Sequence, residues 1–270
     1  MKIAALVAYD GTRFAGFQRQ SPEKGPTAQG VLEAAIARIA GATIPVEAAG
    51  RTDSGVHATG QVVSFSAPEK LPALAWRRAL NALLPEDIAV RAVQWVSDDF
   101  RARWSALSRS YCYRIQCGAV RDPLRERYVW RVARRLDAEA MAAAARLLLG
   151  ERDFGAFGSS PRDRTEDGSR GHTVRTMLAA ECRRSTRQPD ELECAFTANA
   201  FLTGMVRRLV GTLVLVGEGK VEIEAFRGIL EAADKSHPGA AAPARGLCFT
   251  GVAYPPELLP RWDVEASPFE

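Results

Sequence analysis

Between Ala200 and Val216 the sequence is apolar around most of a helix's circumference. A helix of that kind cannot lie on a surface and has to be covered by other elements on nearly every side. The chain must therefore build layers around it, and 270 residues at 47% hydrophobic content suffice for one large or two modest cores. Two adjacent residues, Arg207 and Arg208, break the apolar surface. A buried guanidinium needs an anionic partner, whereas one at the helix rim snorkels to water and needs none. Neighbouring helix positions point about 100° apart, which allows one of them to face inward and the other outward.

The elements around that helix alternate in type. Strand-like runs at Lys2 to Ala8, Gln61 to Ser66, Ile88 to Val96 and Ser110 to Cys117 are separated by helical patterns over about Thr27 to Ala40 and Pro72 to Leu84. Leu32, Ala35, Ile36 and Ile39 form the buried stripe of the first helix, and Gly41 is placed to end it. The second half has a similar inventory, with a helix capped by Asp137, strands over Val174 to Cys182 and Leu192 to Ala198, the apolar helix, a helix over Val221 to Ala233, and a strand from Gly246 to Tyr254. This order predicts an α+β protein of two similar subdomains, residues 1–120 and 121–256, with largely antiparallel sheets flanked by helices. A Pro-rich tail follows over 257–270, and Gly158 to His172 reads as an aperiodic polar loop.

Chemistry concentrates in Gly50-Arg51-Thr52-Asp53-Ser54-Gly55-Val56-His57-Ala58, which places an acid, a guanidinium, two hydroxyls and an imidazole in a loop between strand candidates. A loop held at both ends can aim one carboxylate; the plainer reading is a polar turn capped by Asp53 and Ser54. The charge is uneven. Residues 1–135 carry 20 Lys or Arg against 12 Asp or Glu, and ten arginines lie between 101 and 135. Interleaving with Trp104, Tyr111, Tyr113, Tyr128 and Trp130 points to a polyanion with exposed bases, RNA more readily than duplex DNA. Within that stretch Arg109, Arg121, Arg125 and Arg131 are candidates to follow a phosphate backbone.

Other classes fit less well. The five cysteines and three histidines lack metal-ligand spacing, and Cys112 and Cys117 read as reduced, partly buried thiols. No run of about 18 residues is free of charges, and the N-terminus reads as a strand rather than a signal peptide, which gives the expectation of a soluble cytoplasmic protein.

The motif resembles the signature of the bacterial tRNA pseudouridine synthase A family. Further matches run through the chain in order: Tyr9-Asp10-Gly11-Thr12 with Gly16-Phe17-Gln18, Arg78 to Pro85, Phe100 with Ala102-Arg103, Tyr111 with Tyr113, Asp153-Phe154, Asn199 to Leu202 with Met205-Val206-Arg207, and Ala242-Pro243 with Gly246-Leu247. The resemblance implies isomerisation of uridine to pseudouridine at positions 38, 39 and 40 of tRNA, by a homodimer that uses neither cofactor nor metal, in a cleft between the subdomains. It makes Asp53 the nucleophile, Arg207 its partner, Tyr111 the ring that stacks on the target base, Leu247 a pocket wall, and Arg51 and Gln18 substrate contacts. Phe201-Leu202-Thr203-Gly204 departs from the family's Phe-Leu-His-His, Trp104 stands for Phe and Phe249 for Leu. None of these removes an expected reacting group. The alternatives are a nonenzymatic RNA-binding module, which leaves Asp53 and Arg207 without a task, and an aspartate-dependent hydrolase of a small anionic metabolite, for which the arginine stripe is too long.

Overall fold

A computed structural model describes residues 1–68, 71–159, 172–232, 239–260 and 262. The chain is α+β and divides into two compact units, Met1–Arg109 with Phe249–Glu270, and Ser110–Cys248. The first unit is therefore built from both ends of the chain, unlike the contiguous 1–120 and 121–256 read from the sequence. The difference lies in the last strand, whose residues from Phe249 onward group with the first unit.

In the first unit β1 (Lys2–Tyr9) lies between β3 (His57–Ser66) and β4 (Ile88–Val96), antiparallel to both. The short β2 (Glu47–Ala48) and the final strand β10 (Leu247–Ala253) flank β3. Gly60 sits in the middle of β3 because a Cβ there would overlap the Thr250 carbonyl of β10. Helices α1 (Ala28–Ala40) and α2 (Ala73–Leu83) carry the expected stripes, with Leu32, Ile36, Trp76 and Leu80 all buried. Thr27 caps α1 through the Gly30 N–H, and Gly41, at φ 75°, closes it. Trp76 packs edge-on against Phe65 of β3. On the other face Ala4 and Val62 meet Phe100, Ala102 and Leu259, with Tyr254 and Trp262 beside them. The expected tail thus packs through Leu258 and Leu259, with Trp262 beside them, and residues 261 and 263–270 lie outside the described residues.

The second unit contains β5 (Ser108–Cys117), β9 (Glu191–Ala198), β8 (Val174–Arg184) and β7 (Gly150–Asp153) in that spatial order, with β6 (Trp130–Val132) parallel to β5. Helices α3 (Ala138–Arg146), α4 (Met205–Gly217) and α5 (Ile223–Ala232) complete it. Strand β7 escapes sequence reading because its four residues are all exposed and show no alternation. Helix α4 starts five residues later than its apolar pattern: Gly204 takes φ 71° at the N-cap, and Thr203 pairs with Ser159 instead of joining the helix. Cys182 and Cys194 face each other across β8 and β9 as a disulfide, while Cys112 and Cys117 are free thiols. Most of the Gly158 to His172 loop and the end of the helix expected to Ala233 lie outside the described residues.

Candidate active site

The Asp53 loop leaves β2 at Ala48 and joins β3 at His57, and it is fixed on both sides. Before Asp53, the fully buried Gln61 side chain clasps Gly50 by accepting its N–H (3.3 Å) and donating to its carbonyl (2.8 Å). The Thr52 hydroxyl shares a 2.7 Å hydrogen bond with the Tyr9 phenol, and the Thr52 carbonyl accepts the Phe17 N–H at 3.0 Å. After Asp53, the Gly55 N–H donates to Phe14 O at 3.3 Å, and the Val56 N–H turns back to Asp53 O at 3.2 Å. Glycines permit this approach. Gly16 has φ 104°, and a Cβ there would come 2.9 Å from the Thr52 carbonyl oxygen, while a Cβ on Gly11 would overlap the Val56 carbonyl. The Gly11 N–H also donates to His57 Nδ1 at 3.0 Å, which gives this buried ring a structural task. The polar turn expected from composition is therefore a braced loop with the half-buried Asp53 between its anchors. Motif spelling located the carboxylate; the Tyr9–Thr52 and Gln61–Gly50 contacts were missed because they join residues distant in sequence.

The loop from Asp10 to Gln20 serves mainly as the brace. Arg13 pairs with Asp87 (2.8 Å) and Arg19 with Glu33 (3.0 Å), whereas Gln18 is exposed and lines a hollow with Arg51.

The second unit holds the other expected residues. Alternation along β5 buries Tyr111 and Tyr113 while Cys112 and Arg114 are half-buried. The Tyr111 ring meets Phe201 edge-on at 5.0 Å. Tyr113 donates its phenol to Pro243 O at 2.7 Å, and burial pushes its ionisation far up despite the nearby charges of Arg207 and Arg245. Arg207, on the first turn of α4, is half-buried and donates Nε to the Ala242 carbonyl at 2.7 Å; the Ala242 N–H returns a 2.9 Å bond to Arg207 O. The segment holding Ala242 lies hard on α4, because Gly211 leaves no room for a Cβ beside the Ala240 carbonyl. Leu247, a few residues later, is buried. Burial raises the Cys112 thiol to about 11, partly offset by Arg114, which leaves it a poor nucleophile. Among the described residues no group of three or more His, Cys, Asp or Glu is placed to hold a metal.

The four stripe arginines separate into different tasks. Arg109 spends its guanidinium on the carbonyls of Ala49 (3.2 Å), Ala106 (3.1 Å) and Arg103. Arg125 binds Asp122 (2.9 Å), Asp190 (2.7 Å) and Glu191 (3.4 Å). Arg131 donates to Ala119 O at 3.0 Å. Arg121 is exposed and has no protein partner among the described residues.

The profile of the tRNA pseudouridine synthase family matches residues 5–105 and 144–255, which include the Asp53 loop and the α4 arginines. The chain belongs to this family. Its α+β build with mainly antiparallel strands agrees with the pseudouridine synthase fold. Relatives named tRNA pseudouridine synthase A include one from Gloeobacter violaceus, 43% identical over 94% of this chain and 80% of its own. Another, from Paramagnetospirillum magneticum, is 43% identical over 92% and 93%, and one from a Methylobacterium is 44% identical over 93% and 96%. The segments matched by the family profile include Asp53, Arg207 and Leu247, whereas Tyr111 lies between them. No helix among the described residues is long and apolar enough to cross a membrane.

Proposed function

We propose that this protein converts uridine to pseudouridine at positions 38, 39 and 40 in the anticodon arm of tRNA. The observation that carries the reading is Asp53, half-buried in a loop braced on both sides, within a chain that the family profile matches over residues 5–105 and 144–255. The reaction breaks the bond from uracil N1 to C1′, turns the ring and joins C5 to C1′; the C5 proton leaves and N1 gains one, with no net change in composition. Asp53 supplies the carboxylate that attacks the sugar or takes its 2′ proton. Arg207 is the basic residue that the family resemblance assigns to pair with and orient Asp53. Tyr111 and Leu247 hold the detached base. The target must leave the base stack, and Arg51, two residues from the nucleophile, braces the space it vacates.

The phosphate path is assigned first to Arg121. Arg109 and Arg125 have their donors occupied within the protein and are assigned to holding the fold. We place the enzyme in the cytoplasm as a homodimer that works without cofactor or metal, as its family resemblance implies.

Loss of the C5 proton makes tritium release from tRNA labelled at uridine C5 a direct assay. The wild-type protein is expected to release tritium. Arg207→Ala is expected to lower the rate by at least 100-fold and Arg208→Ala by no more than a few fold. Equal, mild effects at both positions contradict the pairing of Arg207 with Asp53.

A further inference from the structure

Beside the Asp53 loop the first unit contains a hollow of about 280 Å³, lined among others by Gln18, Gln29, Glu47, Arg51, Arg103 and Trp104. Three features of its walls lack a structural purpose. The Trp104 indole is 66% exposed, although a ring of this size would gain about 25 cal/mol per Å² by being covered. The Arg103 guanidinium stands 5.2 Å from the centre of that ring, a cation–π distance that holds the indole in place while leaving most of it in water. Arg51 and Arg103 line one hollow, and burial together with the Arg51 charge weakens Arg103's hold on its proton. Glu47 only partly offsets this, because its carboxylate is bound to Arg101 at 2.7 Å. Glu47, the one carboxylate lining the hollow among the described residues, is thus held by Arg101, which leaves two guanidiniums facing the hollow with no acid committed to them and most of the Trp104 ring in water.

Its frame is rigid. The Ala102 N–H donates to Ser64 Oγ at 3.1 Å, the Tyr254 phenol donates to the Ala102 carbonyl at 2.6 Å, and Arg109 grips the carbonyls of Arg103 and Ala106. Gln29 is committed to the Arg19 N–H, Glu33 and the Val46 carbonyl, which makes it wall. Gln18 is exposed, with an amide able both to donate and to accept. A site fixed in advance loses little entropy when occupied. Just below the usual range for ligand pockets, roughly 300–1,000 Å³, it suits one planar group with one charged group and not a duplex. An unpaired nucleotide offers that combination, since every base has a face to stack and every nucleotide one phosphate.

We propose that this hollow is a subsite for one unpaired nucleotide of the strand that carries the target uridine, its base stacked on Trp104, its phosphate between Arg51 and Arg103, and its base edge met by Gln18. The identity of the strand rests on the tRNA reading given above; the nucleotide chemistry of the hollow does not.

The test compares wild type with Trp104→Ala, Trp104→Phe, Arg103→Gln and the control Leu107→Ala, another exposed apolar residue, 58% exposed, that does not line the hollow. Each is measured for affinity to a short single-stranded RNA and to unmodified tRNA, for KM and kcat in tritium release, and for melting temperature and sedimentation. Trp104→Ala is expected to weaken RNA binding by about 5- to 100-fold, the range for loss of one stacked base, and to raise KM with kcat nearly unchanged. Trp104→Phe is expected to restore most of the affinity, and Arg103→Gln to lower the salt slope of binding by about one phosphate. Leu107→Ala should change nothing, and melting temperatures should stay near wild type. If wild type modifies tRNA and Trp104→Ala binds both RNAs equally well, the subsite is overturned while the isomerase reading stands. If wild type releases no tritium but Trp104→Ala still loses single-strand binding, the subsite stands and the isomerase reading fails. A Trp104→Ala protein that sediments differently and binds RNA normally would make the ring a contact between copies and overturn the proposal.

Discussion

At the scale of single residues, a charged side chain's formal type says less about its role than what its donors already hold. Arg109 and Arg121 look interchangeable in the sequence, yet one is fastened to three carbonyls and the other is exposed. Arg109→Ala strands those acceptors and is expected to destabilise the protein by about 2 kcal/mol, a fall in melting temperature of roughly 4–8 °C for a chain of this size. Arg121→Gln is expected to leave melting unchanged and to lower the salt slope of tRNA binding by about one unit. Thermal melts and salt titrations of the two variants check this, and the reverse pattern would contradict the division. Two buried phenols give a pH prediction. Burial raises the ionisation of Tyr113 and Tyr254 above the ordinary value of 10. The folded state then keeps protons that the unfolded state releases, so their stabilising contribution is complete below pH 10 and falls as pH rises above it. Tyr113→Phe with Tyr254→Phe should flatten the loss of melting temperature between about pH 10 and 11.5, and an unchanged curve would count against the burial.

At the scale of elements, α4 shows what was legible in the sequence and what was not. Its apolar circumference correctly indicated a buried helix, and Arg207 stood out because nothing else on its first turn is charged except Arg208. Its start was misplaced because Gly204 adopts a left-handed conformation that hydrophobic periodicity does not encode. The return of β10 to the first unit was also hidden, because strand periodicity tells which residues are buried and not which neighbour a strand chooses. Asp53 was legible from its motif, whereas the contacts that brace its loop connect Tyr9, Phe14, Phe17 and Gln61 from other segments. Two glycines near α4 provide a test. Gly211 packs against the Ala240 carbonyl, so Gly211→Ala must displace the segment carrying Ala242, the acceptor of Arg207; it is expected to cost about 1–3 kcal/mol and to reduce activity beyond that loss of stability. Gly219, at φ 69° with open space around it, should cost only about 1–2 kcal/mol as Ala and leave activity intact. Chemical denaturation and tritium release separate the two.

At the scale of the whole molecule, the net charge of +4 conceals an excess of basic over acidic residues confined to the first half of the chain. A polyanion bound there displaces counterions, so tRNA affinity should fall steeply with salt, by roughly 0.7–0.9 in log–log slope for each phosphate neutralised. That behaviour would establish RNA binding without establishing catalysis. The distinction rests on Asp53, because exchanging its carboxylate for an amide removes the nucleophile and only one charge from a broad interface. The decisive measurement is nucleotide-resolved mapping of pseudouridine in unmodified tRNA after incubation with purified wild-type protein and with Asp53→Asn, alongside the affinity of each for that tRNA. Pseudouridine confined to positions 38, 39 and 40 with wild type, and none with an Asp53→Asn protein that binds within a few fold of wild type, is the predicted result; pseudouridine formed by Asp53→Asn, or none formed by wild type, would contradict the assignment.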